Sequence, residues 1–595
     1  MTQQDRDRLF KLLAARSGLA TATRESAIPR RPTGGPVPLL PAQRQLWFLD
    51  RLGARDGVYT ITQSWRLSGA LDVAALRRAL AAVVDRHEAL RAGFEELEGE
   101  PVQVMAPPGT APELSIVDVR HAARPRDRAD AVLAAERARP FDLAEPPLVR
   151  GLLVVLAPDV HLFVLTAHHI VADAASVGIM LRELTEHYGG TALPSEPPVQ
   201  YGDYAVWHAG HPLDAGEKYW HETLHDAPAL LELPTDRPRP PAESFRGDGH
   251  SFVIPAERAA ELAEFCRRHG VTANTVLLSA YVLLLARHSG QDDVVVGMPM
   301  RDETVPGIEN CVGMFANTVA VRTRLRGEPT VTELLTQVQE ACVGALEHQR
   351  YPWERVARSL RPARDLSHNP VFQVMFVLNA TGDGLRLPGI DAEWLDLPVT
   401  TARFDLTLAL ATTPDGIEGR LDYATDLFDA KTVARLAEHY EQLLRALLAA
   451  PEAPVSRLDA STEAERRRLR DGGHPAAPAP VTDGTPVHVL ITRQAAETPA
   501  ALAVTEGGES LTYAELITRA NGLAARLREH GVGRGSVVAL GLPAGCAAFT
   551  SLLATLLAGG AYLPLDPGHP HARLDSLLAD AAPAALITTR EHSAA

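Results

Sequence analysis

The stretch His168-His169-Ile170-Val171-Ala172-Asp173 follows two apolar runs, at 152–156 and 161–166. Because these runs flank Pro158-Asp159, a turn-forming pair, the pattern predicts a β-hairpin. From Ala174 onward the apolar residues recur at helical spacing. The two histidines are therefore expected at the end of a strand, on the loop that leads into a helix.

The same stretch carries residue types that serve in catalysis. A histidine accepts a proton near neutral pH because its ordinary pKa is about 6.5. Asp173 is placed to accept backbone N–H bonds at the start of the next helix or to pair with a distant cation. No Gly-x-Ser-x-Gly elbow and no nearby cysteine offers a nucleophile, so base-assisted direct attack is favoured over a covalent enzyme intermediate. Local chemistry alone leaves a purely structural role open.

The composition excludes several classes of protein. Of the 595 residues, 46% are hydrophobic and 22% are charged, which is ordinary globular composition. Roughly three to five domains are expected at this length. The net charge of −16 disfavours nucleic acid as a partner. Cys266, Cys311, Cys342 and Cys546 lie too far apart for a local zinc cluster or a disulfide scaffold, and they favour a reducing, cytoplasmic location.

Neither a membrane span nor a metal site is predicted. The first 20 residues are charged and lack the apolar run of a signal peptide. Residues 535–565 carry no charge, but glycines and prolines interrupt them, so they predict a buried α/β core. Since neighbouring residues of a strand point to opposite faces, His168 and His169 are not expected to share a metal ion.

Proline- and glycine-rich segments divide the chain into regions. Residues 21–37 and 450–487 have the composition of linkers, and 233–241 predicts an extended crossing. A long amphipathic helix is predicted from Leu71 to Phe94, with Asp72 as its N-cap. Further patterns predict helices at 5–20, 272–288, 332–348 and 430–449 and strands at 293–298, 315–322 and 372–378.

The segment 168–174 resembles the His-His-x-x-x-Asp-Gly motif of the condensation domains of nonribosomal peptide synthetases. The tail, at 511–516 and 557–566, resembles the first two motifs of an adenylation domain. It stops before that family's phosphate loop and catalytic lysine, so we do not expect this piece to activate an amino acid. Further condensation motifs are matched in order at 41–49, 86–91, 201–207, 312–318, 348–354 and 364–370.

The resemblance implies an α/β fold with two chloramphenicol-acetyltransferase-like lobes in a V and a substrate tunnel between them. A partial α/β piece of an adenylation domain would follow. The implied organisation is an N-terminal helix and linker at 1–37, an N-terminal lobe at 38–210, a C-terminal lobe at 211–455, a linker at 456–487 and the partial adenylation domain at 488–595.

The resemblance also implies site residues. His169 would position or deprotonate the acceptor amine or stabilise the tetrahedral intermediate, and His168 would be structural. Asp173 would form a buried salt bridge with an arginine of the second motif, either Arg86 or Arg91. Ala174 stands where the family has glycine, which could narrow the tunnel or simply suit the start of a helix. The tunnel-lining candidates are Asn369, Ser176 and Asn317.

The implied function is amide-bond formation, with a carrier-bound aminoacyl amine attacking a carrier-bound acyl or peptidyl thioester. Phosphopantetheine arms would carry both substrates, with no cofactor bound directly. The donor carrier is expected in trans, with helix 5–20 as a docking element or an ordinary surface helix, and the downstream carrier on the same synthetase. The alternatives are a non-catalytic platform that recruits carrier proteins or tailoring enzymes, and an acyltransferase acting on a soluble alcohol or amine.

Overall fold

The computed structural model describes residues 28–32, 34–52, 58–194, 196–210, 214–301, 305–360, 367–380, 384–413, 415–472 and 484–590. The chain divides into two compact units, Met1–Arg466 and Arg467–Ala595. Each unit has a hydrophobic core of its own. The predicted helix at 5–20, with its docking role, lies outside the described residues.

The N-terminal half of the first unit, up to residue 210, is built on a three-stranded and a five-stranded sheet. Its strands are β1 (Val37–Pro38), β2 (Thr60–Ser68), β3 (Ala92–Leu97), β4 (Glu100–Met105), β5 (Glu113–Asp118), β6 (Val149–Ala157) and β7 (Val160–His168). Its helices are α1 (Pro41–Arg51), α2 (Val73–Arg86), α3 (Pro125–Ala138), α4 (Ala174–Tyr188) and α5 (Tyr201–Ala209). The smaller sheet has the order β1-β4-β3, and the larger sheet contains β2-β7-β6-β5 with a fifth strand beside β2.

The hairpin predicted before the two histidines is confirmed. Strands β6 and β7 pair antiparallel on either side of a tight turn, and His168 is the last residue of β7. Helix α4 begins at Ala174, as predicted, and Asp173 is its N-cap. A short loop therefore separates the end of a central strand from the start of a buried helix.

The long helix predicted from Leu71 to Phe94 is wrong at its C-terminal end. Asp72 caps its start as predicted, but α2 ends at Arg86, and His87 adopts an extended conformation with φ −109° and ψ 108°. A 3₁₀ turn and strand β3 follow. The His87 ring is fully buried and lies 2.8 Å from the Glu183 carboxylate, a distant contact that breaks the helix where the apolar period alone would continue it.

The C-terminal half, from residue 214 to 466, is built on a six-stranded sheet. The strands of this half are β8 (Gly247–Pro255), β9 (Asp293–Arg301), β10 (Ala316–Arg324), β11 (Val374–Ala380), β12 (Asp391–Trp394), β13 (Leu406–Thr413) and β14 (Gly416–Ala424). Its helices are α6 (Asp214–Leu224), α7 (Ala256–His269), α8 (Ala273–Ser289), α9 (Val331–Glu347), α10 (Trp353–Leu360) and α11 (Ala430–Ala449), and α12 (Glu463–Gly472) begins in this half and ends beyond its boundary. The six-stranded sheet has the order β10-β9-β11-β13-β14-β8 and does not include β12.

Strand β12 crosses from one half to the other. Although it belongs to the C-terminal half by sequence, it pairs antiparallel with β2 and is the fifth strand of the larger N-terminal sheet. Leu385 and Leu387, just before it, enter the core beneath that sheet. The predicted lobe 211–455 is therefore interlocked with its neighbour, a feature that local sequence patterns do not reveal.

The second unit is a small α/β fragment. Its strands are β15 (Leu502–Glu506), β16 (Glu509–Thr512), β17 (Val537–Gly541), β18 (Ala561–Leu565) and β19 (Ala585–Thr588), and its helices are α13 (Val487–Glu497), α14 (Tyr513–Glu529), α15 (Cys546–Ala558) and α16 (His571–Ala581). Strands β15 and β16 form an antiparallel pair, and the other three form a parallel sheet in the order β18-β17-β19.

The segment 535–565 folds as β17, α15 and β18, which is the buried α/β arrangement predicted for it. Among the described residues, no single helix is both long and apolar enough to cross a membrane. Within the same described residues, α7 and α8 meet the length and composition test when taken together, but they are bent by 107° at the break between them.

Candidate active site

His168 faces into the protein. Its backbone N–H donates to the Leu148 carbonyl at 2.9 Å, and its ring Nδ1 accepts a bond from the Ile170 N–H at 3.1 Å. The residue is only 8% exposed, and burial, with a smaller contribution from His169, lowers its pKa to about 3. A neutral ring that braces its own loop is structural in character.

His169 points toward the C-terminal half. Its backbone N–H donates to the Tyr59 carbonyl at 2.8 Å, and its ring Nδ1 lies 3.2 Å from the Met314 sulfur. Burial, followed by the positive charge of Arg403, lowers the pKa of His169 to about 4. The ring is therefore neutral at pH 7 and half-buried.

Asp173 is the most heavily bonded side chain of the loop. One carboxylate oxygen accepts from the Ser176 N–H at 2.8 Å, which is the N-cap bond predicted from the sequence. The same oxygen accepts from Arg301 at 3.1 Å, and the other accepts from the Phe315 N–H at 3.2 Å. At 2% exposure, this carboxylate joins its own loop to two segments of the C-terminal half.

The predicted partner of Asp173 is therefore wrong. The arginine is Arg301, at the end of β9, rather than Arg86 or Arg91. The guanidinium of Arg301 also donates to the carbonyls of Ile308 and Cys311 and lies 4.3 Å from the centre of the Phe315 ring. We call the contact between Asp173 and Arg301 the Asp173–Arg301 clamp.

Arg86 and Arg91 are engaged elsewhere. Arg86 donates to Glu183 at 3.1 Å and to the Pro194 carbonyl. Arg91 donates to three backbone carbonyls, those of residues 84, 85 and 106. Both arginines support the N-terminal half from within and do not reach the loop at 168–173.

The remaining predicted site residues differ in whether they contact the loop at 168–173. Ser176 is fully buried, and its hydroxyl lies 2.7 Å from Asp173 and 2.8 Å from the Gly313 carbonyl, so it reinforces the clamp. Asn317 donates to the carbonyls of residues 349 and 351 and lines a cavity. Asn369 is half-buried, and Ala174 is exposed at the first position of α4.

Three residues near the loop escaped the sequence-based prediction. Gln43 is fully buried and donates to the Ile170 carbonyl at 2.9 Å, while pairing with Gln103. Gln43 lies within the matched segment 41–49, so the motif offered a signal for it. Arg301 and Arg403 carry no local pattern that would single them out among the chain's many arginines.

A cavity is lined by residues of both halves and lies one residue away from His169, which does not line it. Met314, the residue against the His169 ring, forms part of its wall. The N-terminal half contributes Leu40, Pro41, Ala42, Tyr204 and His208, and the C-terminal half contributes Met300, Met314, Phe315, Ala316, Asn317, Gln349, Arg350 and Pro352. No cluster of three metal-ligating side chains occurs in the part of the chain that is described.

A family model described as "Condensation domain" matches residues 34–470, and one described as "AMP-binding enzyme" matches residues 491–595. The chain belongs to the condensation domain family. The family assignment made from the motifs is thereby confirmed, as is the mixed α/β fold. Condensation domains are peptide-bond-forming acyltransferases of nonribosomal peptide synthetases, and the family works with carrier proteins and their phosphopantetheine arms.

Relatives of this condensation domain are large synthetases. Malpinin synthetase of Mortierella alpina is 39% identical over 556 residues, which is 91% of this chain. Tyrocidine synthase 3 of Brevibacillus parabrevis is 36% identical over 559 residues, which is 93% of this chain. The chain spans only 7% of the first protein and 8% of the second.

Solved structures of similar fold include a four-domain synthetase and an isolated domain. The four-domain nonribosomal peptide synthetase holo-AB3403, bound to AMP and glycine, has a TM-score of 0.76 and 23% identity over 95% of this chain and 44% of its own, which supports the fold alone. The X-domain from teicoplanin biosynthesis has a TM-score of 0.65 and 30% identity over 73% of this condensation chain and 99% of its own. That X-domain has also been solved in complex with OxyB.

Proposed function

We propose that the first unit of this chain forms an amide bond between two carrier-bound substrates, with His169 as its catalytic residue. The observation that carries the proposal is that His169, half-buried at the end of the motif loop, lies against Met314 of the C-terminal half. In the reaction, the acceptor amine nitrogen attacks the donor thioester carbon. The C–N bond forms, the C–S bond breaks, and the donor thiol leaves with the proton lost by the amine.

The depressed pKa of His169 bears on its role. With a pKa of about 4, the ring is a weak base but a constant hydrogen-bond acceptor at neutral pH. A thioester is already reactive, so orientation of the amine supplies much of the rate. We therefore assign His169 chiefly to accepting a hydrogen bond from the amine and directing its lone pair, with Asp173 as a positioning residue.

The substrates in this proposal are an aminoacyl group and an acyl or peptidyl group, each on a phosphopantetheine arm. The donor arrives on a separate carrier protein, and the acceptor on a carrier of the same synthetase. A cytoplasmic site of action is supported by the four cysteines, all of which are buried and unpaired.

The test is an assay with a loaded donor carrier, supplied as a separate protein, and a loaded acceptor carrier. His169→Ala should lower the rate of product formation by about 100-fold or more, with its circular dichroism spectrum unchanged. His225→Ala, which alters an exposed histidine just beyond the C-terminal end of α6, should retain the wild-type rate. Equal rates for the two variants would contradict the proposed role of His169.

A second candidate function, a non-catalytic platform, is favoured by one observation. The X-domain, which is 30% identical over 99% of its length, binds OxyB in a solved complex. On this alternative, wild-type protein would give no product from any loaded carrier pair but would retain a partner protein in a binding assay. Product formation that depends on His169 would exclude it.

A further inference from the structure

Arg403, on the segment between β12 and β13, lies close to His169. Its guanidinium carbon is 5.5 Å from the centre of the Tyr59 ring, and the Tyr59 carbonyl accepts the His169 N–H at 2.8 Å. The positive charge of Arg403 contributes, after burial, to the lowered pKa of His169. A single residue, Tyr59, therefore connects the guanidinium to the loop at 168–173.

Arg403 forms no ion pair with any residue that the structure describes; its recorded contact is with the Tyr59 ring. Asp405, two positions further on, is bonded by Arg239 at 2.9 Å. Glu243 also acts on the Tyr59 phenol, but burial, followed by the negative charge of Asp405, raises the pKa of Glu243 to about 7. A paired arginine would lower the pKa of a carboxylate, so Glu243 does not supply the missing countercharge.

The surroundings of Arg403 favour an anion that comes from outside the protein. The side chain is exposed, so a solute can reach it, yet the protein around it lowers its pKa by burying part of the charge. These two observations together describe a cation within an open crevice. Reduced hydration strengthens its attraction for a negative group, and the planar guanidinium fork matches the two oxygens of a carboxylate.

We propose that Arg403 is a specificity-determining residue that binds a carboxylate on the acyl part of one of the two substrates, so that the enzyme selects an acidic group. This inference rests on the proposed function. The carboxylate belongs either to the donor acyl group or to the acceptor aminoacyl group. The chemistry of recognition is the same for both, and the experiment has one arm for each.

Each arm compares an aspartyl with an asparaginyl group, which have nearly the same shape and differ in charge. On the donor arm, the donor carrier is loaded through the α-carboxyl of N-acetyl-aspartate or N-acetyl-asparagine, and the acceptor is glycyl. On the acceptor arm, the acceptor is aspartyl or asparaginyl, and the donor is acetyl. With the wild-type full chain, one arm should show a kcat/KM about tenfold or more higher for the aspartyl substrate, as a charge-assisted hydrogen bond predicts.

Two substitutions test whether Arg403 causes this preference. Arg403→Met removes the charge and should lower kcat/KM for the aspartyl substrate about tenfold, while changing that for the asparaginyl substrate less than twofold. Arg403→Lys should keep part of the preference, since lysine retains the charge without the fork. An equal loss for both substrates would contradict the inference, because Arg403 would then act on a group that the two substrates share.

Arg77→Met is the matched control, because Arg77 is an exposed arginine on α2. It should keep the wild-type preference, and circular dichroism checks the fold of every variant. The wild-type comparison requires no mutation, so it stays informative if Arg403→Met folds poorly. Aspartyl and asparaginyl substrates used equally well on both arms by wild-type protein would overturn the inference.

A binding measurement separates this inference from the proposed function. Non-reactive analogues of both arms, with an amide in place of the thioester to pantetheine, require no turnover in isothermal titration calorimetry. Wild-type protein should bind one aspartyl analogue about tenfold more tightly than its asparaginyl counterpart, and Arg403→Met should bind the two equally. Equal binding by wild-type protein, or binding of neither, would count against the inference.

The two proposals can therefore fail separately. An Arg403-dependent preference in binding, without amide product from any carrier pair, would support the inference and contradict the proposed function. Product formation at equal rates for aspartyl and asparaginyl substrates on both arms would support the proposed function and overturn the inference.

Discussion

Two buried carboxylates, Asp173 at the N-cap of helix α4 and Glu183 within it, form the same kind of ion pair but connect different parts of the protein. Each is almost fully buried, and each is paired with an arginine at 3.1 Å. The partners of Glu183 are Arg86 and His87, both at the C-terminal end of α2, so this cluster ties together elements within the N-terminal half. Asp173 pairs with Arg301 and thereby joins the two halves beside His169.

The difference shows why the motif aspartate and the motif arginine need not be partners. Arg86 pairs with Glu183, and Asp173 pairs with Arg301. Because the two carboxylates lie at different positions along α4, Arg86 and Asp173 belong to separate networks of ion pairs. Asp173 contacts residues of the C-terminal half, whereas Glu183 contacts residues of its own half. Variants of the Asp173–Arg301 clamp and variants of the Glu183 cluster should therefore differ in their effect on the rate of condensation.

The largest effect is expected at the clamp. Asp173→Ala leaves the Arg301 guanidinium buried without a countercharge and removes the N-cap of α4, so stability should fall by about 3–5 kcal/mol. The rate of condensation should fall at least 100-fold at a temperature where the variant remains folded, because the loop that carries His169 loses its tie to the C-terminal half. Urea unfolding and the loaded-carrier assay measure the two effects.

A double-mutant cycle identifies the partner arginine. Asp173→Ala combined with Arg301→Ala should show a coupling energy of about 2 kcal/mol, since the side chains are in direct contact. Asp173→Ala combined with Arg86→Ala should be additive within about 0.5 kcal/mol. Coupling to Arg86 of the same size as to Arg301 would mean that the pairing described above is wrong.

A smaller and different effect is expected at Glu183. Glu183→Gln keeps the shape of the side chain but removes the countercharge of Arg86, so stability should fall by about 1–3 kcal/mol. The rate for the folded variant should remain within about threefold of wild type, because the cluster does not touch the loop at 168–173. A loss of rate comparable with that of Asp173→Ala would show that a structural change at the Glu183 cluster also alters the loop that carries His169.

Local features of the site could be predicted from the sequence. The hairpin, the loop position of His169 and the N-cap at Asp173 depend on a few neighbouring residues, and the structure has all three. The clamp depends on Arg301, which is 128 positions away in the chain, and no local pattern selects it. The same limit explains the early end of α2 at His87 and the return of β12 to the first sheet.

The loop that carries His168 and His169 and the Glu183 cluster should also differ in how their contributions to stability depend on pH. Burial lowers the pKa of His168 to about 3 and that of His169 to about 4, whereas the unfolded chain binds these protons near pH 6.5. Stability is therefore retained above pH 6.5 and lost as the pH falls toward 4. At Glu183, burial is outweighed by His87 and Arg86, which lower its pKa, so its contribution is lost only at more acid pH.

The variant His168→Asn isolates this effect, because the asparagine oxygen can accept the Ile170 N–H in place of Nδ1. Between pH 6 and 4, the free energy of unfolding measured in urea should decrease with falling pH less steeply in the variant than in the wild type. The difference between the two slopes should be about 1 kcal/mol per pH unit. Stability at pH 7.5 serves as the reference for both proteins. Parallel pH profiles for wild type and variant would contradict the assignment of a depressed pKa to His168.

The smallest effect is expected at Ala174, one residue from the clamp. Its methyl group is exposed, so Ala174→Gly should not open space at the buried contacts of Asp173. Glycine is the poorer helix former, and stability should fall by at most about 1 kcal/mol, with the condensation rate within about twofold of wild type. Ala175→Gly, at the next exposed position, is the matched control for thermal unfolding and for the loaded-carrier assay. A severalfold gain in rate for Ala174→Gly alone would show that the methyl group obstructs a substrate. The condensation rate would then depend on the exposed side chain at position 174 as well as on the Asp173–Arg301 clamp.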